Sequence, residues 1–409
     1  MPMPLTCQPP VAWTRSTAIV DRGTRAWRTF YAWENAAMDV TDVPAWLTAE
    51  VIAVPLANLL RTNVRSIPAR TCRRLTSGAG TALGVWRLAG TAVVGDTMRE
   101  WSLILKGWTP PERSEGAGSQ RETALYRSGL LDALPAGIRA PASYGEMEHT
   151  DGTIWIWFED IVDEEAGPWS LDRYATAARH LGRFNGAYLT GHPQPAGPEI
   201  GRGWLRQWVD SAAEAIAHVE HASEQPLVRR AYPPHVAEVY ARLWADRQAH
   251  HALLDRLPQT FCHLDAFKRN LLLTHSPDGE EEIVAIDWEF AGVGAIGEEL
   301  APLVIASAIF HEAPPVALPA FEATVLGSYI DGLRDVGWGG DPATVWTGYR
   351  TAAVMRYGVG AVSRLLPFLL DDRPLVDLER FIGHPWQVIL PDLLAVNEHL
   401  VAVADEMTR

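Results

Sequence analysis

The chain has 409 residues, 47% hydrophobic and 21% charged, enough for a sizeable core and two or three folding units, and unlike a disordered chain. A formal net charge of −15 argues against general nucleic-acid binding, which needs basic surfaces to neutralise phosphates. The longest apolar runs, 51–60 and 300–310, span only about ten residues, too few to cross a bilayer. The start, MPMPLTCQPP, has no basic patch followed by an apolar stretch. A cytoplasmic protein with no membrane and no nucleic-acid partner is therefore expected. Cys7, Cys72 and Cys262 are odd in number and far apart, which fits reduced thiols.

Residues 1–69 carry an aromatic cluster, Trp27, Phe30, Tyr31 and Trp33, and no chemical motif, so they read as an extension packing on the body of the protein. Residues 45–60 look helical up to Pro55, where the proline is expected to interrupt them. From Arg70 the pattern becomes short strands. A strand at 73–76 leads into the glycine-rich loop 77–84, a second strand covers 85–88, and a third, 101–105, ends at Lys106. In that loop Ser77, Gly78, Gly80 and Thr81 would let backbone amides approach a polyphosphate, because no Cβ intervenes at glycine. The loop fits neither the dinucleotide fingerprint nor the P-loop consensus. A helix is expected over 121–131 with Glu122 at its start, placed either to pair with Lys106 or to sit solvated in the first turn. An aromatic strand, 153–158, ends at Phe158 and Glu159, where exposed backbone can read an adenine edge; a buried sheet strand explains the aromatics equally well.

After Gly167 the chain turns helical, with helices expected over 171–189, 204–221, 235–257, 298–310, 319–336, 342–366 and 374–407. No period repeats, so a solenoid is not indicated. Inside this region lies FCHLDAFKRNLLLTHSPDGEEEIVAIDWEF, residues 261–290. A strand at 271–275, a Ser-Pro-Asp-Gly turn and a returning strand at 283–286 make a hairpin. Its open end brings together Asp265, Asn270 and Asp287. Two carboxylates and an amide suit a hard divalent cation such as Mg2+, which prefers oxygen ligands and is usually shared with substrate phosphates. Asn270 and Asp287 suit the metal, which leaves Asp265 to accept a proton from a hydroxyl.

The 35 basic residues include only two lysines, Lys106 and Lys268. An arginine-rich chain that keeps lysine at two places points to sites where a compact ammonium, not a planar fork, faces a phosphate.

These motifs resemble the aminoglycoside phosphotransferase and choline kinase-like superfamily over roughly 70–370. His263-Leu264-Asp265 with Asn270 resembles its catalytic loop, and Ile286-Asp287-Trp288 its metal-binding segment. Lys106, Glu122 and the loop 77–84 match the strand lysine, helix glutamate and phosphate loop. The resemblance implies a bilobal protein-kinase-like α+β fold, with a small antiparallel β lobe and a larger, mostly helical lobe. We therefore expect an extension at 1–69, a nucleotide lobe at 70–160 and a helical lobe at 161–409.

It also implies that Asp265 is the catalytic base, that Lys106 held by Glu122 binds ATP phosphates, and that Asn270 and Asp287 hold Mg2+. His263 is expected to brace the loop and Lys268 to contact a phosphate. The implied activity is transfer of the ATP γ-phosphate to a hydroxyl of a small molecule: an aminoglycoside, another antibiotic, a sugar or an amino alcohol. The alternatives are a Ser/Thr kinase acting on a peptide and a catalytically silent nucleotide-binding scaffold. Trp204, Trp208, Asp210, Glu214 and the pair Asp371-Asp372 are candidates for the acceptor pocket. The chain departs from the family at Leu264, where many members have Gly, at Phe267, where they carry a basic residue or His, and at Glu299, where they have Asp. Glu299 is expected to brace the helical lobe.

Overall fold

The computed structural model describes residues 47–408 apart from 76–81, 109–117, 136, 164–166, 277, 315 and 371. The aromatic cluster, Cys7, and the loop residues Ser77, Gly78, Gly80 and Thr81 lie outside the described residues. The first helix, α1 (Ala49–Leu60), is capped by Thr48, whose hydroxyl accepts the Val51 amide, and it closes at Arg61 in the left-handed region. Pro55 does not interrupt it. The proline removes one backbone hydrogen bond, but it is buried with Ile52 and Leu56, and that packing holds the helix through the gap.

Next come β1 (Ser66–Leu75), β2 (Ala82–Val94), β3 (Thr97–Trp108), α2 (Gly118–Arg127), β4 (Ile138–Arg139), β5 (Ser143–Glu148) and β6 (Ile154–Glu159). Five of the strands form one antiparallel sheet in the order β1-β2-β3-β6-β5. The β2–β3 turn depends on Gly95 at φ 58, a conformation that costs a glycine little. One face of the sheet buries Leu88, Leu103, Leu105 and Trp157 against Leu47, Ile52 and Leu56 of the α1 region. A lobe boundary at 70 falls inside β1, and among the described residues the core of the small lobe takes in Leu47, Ile52 and Leu56. Nothing local in the sequence marks α1 as a partner of that sheet.

The larger lobe contains α3 (Leu171–Leu189), β7 (Gly201–Arg202), α4 (Trp204–Asp210), α5 (Ala213–His221), α6 (Pro226–Ala231), α7 (Pro234–Ala245) and α8 (Arg247–Arg256). It continues through β8 (Gln259–Cys262), β9 (Leu271–His275), β10 (Glu281–Ala285) and β11 (Gly292–Ala295) to α9 (Leu318–Asp335), α10 (Pro342–Ala353), α11 (Ala361–Leu369), α12 (Asp372–Ile382) and α13 (Trp386–Met407). Several expected helices are divided. The 204–221 helix breaks between α4 and α5, the 235–257 helix at Asp246, and the 374–407 helix at Gly383, whose φ of 89 no helix accommodates. The 342–366 helix is continuous in direction but passes through a π-helical stretch, Val354–Gly360.

The predicted hairpin is present, with Leu271 opposite Ala285 and His275 opposite Glu281. On its other side β10 pairs in parallel with β4, so a segment expected in the nucleotide lobe adds a strand to the helical lobe. A second small sheet, β7-β11-β8, lies on the other side of the catalytic loop. One described helix, α13, is long and apolar enough to cross a membrane by composition, with mean hydropathy 1.3. Its Ile389, Leu393, Val396 and Leu400 are buried in the core of the helical lobe.

Candidate active site

The catalytic-loop stretch 263–270 owes its shape to buried polar groups. Glu299, fully buried, accepts the His263 amide at 2.7 Å on one carboxylate oxygen and the Leu264 amide at 2.9 Å on the other. The His263 ring accepts the Asp265 amide on Nδ1 at 3.2 Å and donates from Nε2 to the Ile286 carbonyl at 2.9 Å, which ties the loop to the end of β10. Acceptance at Nδ1 requires the neutral ring with its proton on Nε2. Burial pushes the His263 pKa down to about 4, which keeps the ring neutral. Leu264 sits at φ 63, strained for a branched side chain, and its side chain is buried.

At the open end of the hairpin Asn270 donates from Nδ2 to the Asp265 carbonyl at 3.0 Å and to Asp265 Oδ2 at 3.1 Å. With its amino group so engaged, Asn270 presents Oδ1 as its remaining polar atom, the atom a hard cation would take. Asp287 follows β10 in the left-handed region, φ 65 and ψ 63, which swings its carboxylate out of the strand. Its Oδ1 lies 2.7 Å from Lys106 Nζ, and Lys106 Nζ lies 2.8 Å from Glu122 Oε2. The lysine also rests 4.2 Å over the Trp108 ring. Burial alone would lower the Lys106 pKa, but Asp287 and Glu122 outweigh it and raise it above the usual lysine range. Burial likewise works against the Asp287 charge, and Lys106 holds its pKa below the ordinary value. Glu122, with the Trp288 amide donating to its other oxygen at 3.2 Å, is raised by burial.

The expected residues Asp265, Asn270, Asp287, Lys106, Glu122, Phe158 and Glu159 all line one cleft of about 500 Å³ between the lobes. Glu159 is held by Arg139 at 2.7 Å and accepts the Ala142 amide, while Asp160 beside it pairs with Arg87. Lys268 is half-buried in the 3-10 turn Lys268–Asn270 and is not among the described residues of the cleft wall, whereas its neighbour Arg269 is. Of the acceptor candidates, Trp208 lines the cleft and Trp204 is buried next to it. Asp210 instead pairs with Arg247 at 2.9 Å, Glu214 is not on the cleft wall, and neither Asp371 nor the Asp372 side chain is described.

Arg356, in the π-helical stretch, was not singled out by the sequence reading. One of its nitrogens lies 2.6 Å from Asp265 Oδ1 and another donates to the Leu264 carbonyl, so it grips the Asp265 carboxylate and its loop together. Burial raises the Asp265 pKa although Arg356 opposes it. An arginine inside the apolar run Val354-Met355-Arg356-Tyr357-Gly358-Val359 is the signal that could have found it, because buried charges are rarely left unpaired.

The sequence pattern of the phosphotransferase enzyme family matches residues 94–336, well over half of the chain. The chain belongs to that family. No curated protein gives a significant match. Among solved structures, this phosphotransferase is similar to a spectinomycin phosphotransferase at 14% identity, covering 88% of this chain and 98% of that one with a TM-score of 0.46. It is also similar to an amicoumacin kinase at 16% identity, covering 76% and 86% with a TM-score of 0.48. A microcompartment-associated aminopropanol kinase matches at 12% identity, covering 88% and 97% with a TM-score of 0.47. The antiparallel small lobe, the helical large lobe and the cleft between them are the kinase-like architecture expected from the motifs.

Proposed function

We propose that this phosphotransferase moves the γ-phosphoryl group of ATP, with Mg2+, to a hydroxyl of a small molecule. The observation that carries the reading is the placement of Asp265, gripped by Arg356 and Asn270, across one cleft from Lys106, itself gripped by Glu122 and Asp287. Asp265 orients the acceptor hydroxyl. Its oxygen forms the new bond to Pγ, the bond from Pγ to the bridging oxygen breaks, and that electron pair leaves with ADP. The hydroxyl proton passes to Asp265, whose affinity for it is raised by burial. Lys106 faces the α and β phosphates, with Glu122 fixing its ammonium.

The donor set fits a hard cation: Asp287 supplies a carboxylate and Asn270 an amide oxygen. Among the described residues no group of three or more His, Cys, Asp or Glu side chains forms a metal cage, so the remaining ligands must come from phosphates and water. Bound there, Mg2+ would neutralise charge on the transferred group. Lys106 would release Asp287 to it while keeping Glu122.

The test is ATP turnover and nucleotide binding measured side by side. Asp265→Ala should abolish phosphoryl transfer, a loss of at least a thousand-fold, while ATP affinity stays within a few-fold. Equal residual hydrolysis in both proteins would sink the assignment.

A further inference from the structure

Trp204 stands behind the cleft wall rather than on it, 8% exposed, and touches segments from both ends of the site. The guanidinium carbon of Arg356 lies 4.6 Å from its ring centroid. Phe290, in the turn that follows Asp287, packs edge-to-face against it at 5.4 Å and 66°. We infer, on the reading that the site transfers a phosphoryl group, that Trp204 is a positioning residue: its indole ring holds Arg356 in the orientation from which that arginine fixes Asp265.

The ring is itself placed by backbone. β7 pairs in parallel with β11, Gly201 opposite Gly292, and a Cβ built on Gly292 would lie 2.3 Å from the Gly201 carbonyl oxygen, so the strands approach as only glycine allows. Gly203, at φ 66 and ψ 24, then turns the chain into α4, and Trp204 is the first residue of that helix. Trp208, one turn on, closes against the ring at 5.9 Å.

Arg356 needs such a support. Two of its nitrogens are committed, one to Asp265 Oδ1 and one to the Leu264 carbonyl. Hydrogen bonds made in the plane of a guanidinium fix its edge and resist tilting of the plane only weakly. An aromatic face beneath the group limits that tilt, and its attraction for the cation is strongest where both are out of water, as buried Arg356 is. Tyr357 also lies 5.2 Å from the guanidinium, but it is the adjacent residue of the same π-helical stretch and moves with it. Trp204 comes from a separate element and ties Arg356 to the β7–β11 sheet.

If Trp204 only filled space, any apolar residue of the right volume would serve. Phenylalanine and leucine at 204 leave cavities of similar size, and only the first presents an aromatic face. The experiment measures Asp265-dependent hydrolysis of ATP with Mg2+, the difference between each chain and the same chain carrying Asp265→Ala, beside thermal unfolding. Trp204→Leu should lower kcat about thirty-fold and leave KM for ATP within about two-fold. Trp204→Phe should recover most of that loss. In the Arg356→Lys background the difference between Phe and Leu at 204 should shrink to about two-fold or less, because the two positions act as one unit. Trp204→Met replaces the leucine variant if that chain does not fold. Equal kcat in the aromatic and aliphatic variants, a loss carried by KM, or an undiminished difference in the Arg356→Lys background would overturn the inference and leave the phosphotransfer reading standing. Absence of Asp265-dependent hydrolysis in the unmodified chain would remove that reading and this inference with it.

Discussion

On the proposed reading Asp265 would act as a base only in one orientation, and three side chains set that orientation. Asn270 holds Oδ2, Arg356 holds Oδ1 together with the Leu264 carbonyl, and His263 accepts the Asp265 amide. Lysine at 356 would keep the charge but could not span a carboxylate and a carbonyl at once. Arg356→Lys should therefore lower kcat about a hundred-fold through misplacement of the base, with KM for ATP nearly unchanged. Steady-state kinetics at saturating ATP would check this.

Glu299 supports the same loop from behind. Gln offers one acceptor where the carboxylate offers two, so Glu299→Gln leaves a buried amide unsatisfied and costs about 1–3 kcal/mol. Burial raises the Glu299 pKa to about 7. A carboxyl group whose folded pKa lies above its unfolded value binds more protons when folded, so its contribution to stability falls as pH rises between roughly 4.5 and 7. The gap between the native chain and Glu299→Gln should thus be widest near pH 5. It should shrink by roughly 2–3 kcal/mol by pH 7.5. Denaturant unfolding across that range measures it, and a gap that widens with pH would contradict the assignment. His263 titrates alike in both chains and drops out of the difference.

Among the elements, the helical lobe depends on how closely its helices approach. Gly182 on α3 and Gly332 on α9 face each other, and a Cβ built on Gly332 would lie 2.0 Å from the Arg179 carbonyl oxygen. That obstacle is backbone and cannot rotate away. Gly332→Ala should cost about 3 kcal/mol, at the upper end for overpacking, and lower the melting temperature with kcat retained in the molecules still folded. The hairpin β9–β10 is the element the sequence described best, because a short apolar run on each side of a Ser-Pro-Asp-Gly turn reads as two paired strands. The π-helical stretch at 354–360 was least legible. Its apolar spacing looks like ordinary helix, and only packing against the catalytic loop turns Arg356 inward.

For the molecule as a whole, the cleft is closed from both sides by the Lys106–Asp287 pair, which joins β3 of the small lobe to the hairpin of the large one. On the proposed reading Mg2+ and ATP would take Asp287 from Lys106 and give the lysine phosphates in exchange. The nucleotide with Mg2+ at a hundred times its Kd should stabilise the protein by about 2.7 kcal/mol. The Mg2+-dependent part of that stabilisation should vanish in Asp287→Asn, as read from thermal unfolding with and without the metal.

The sequence by itself determined the class of chemistry, the hairpin flanked by Asp265, Asn270 and Asp287, and the order of strands before helices. These are legible because spacing along the chain and the few types of side chain that do such chemistry are local properties. The tertiary structure decided what depends on approach between distant segments: Arg356 on Asp265, Glu299 beneath His263 and Leu264, α1 under the small-lobe sheet and β4 beside β10.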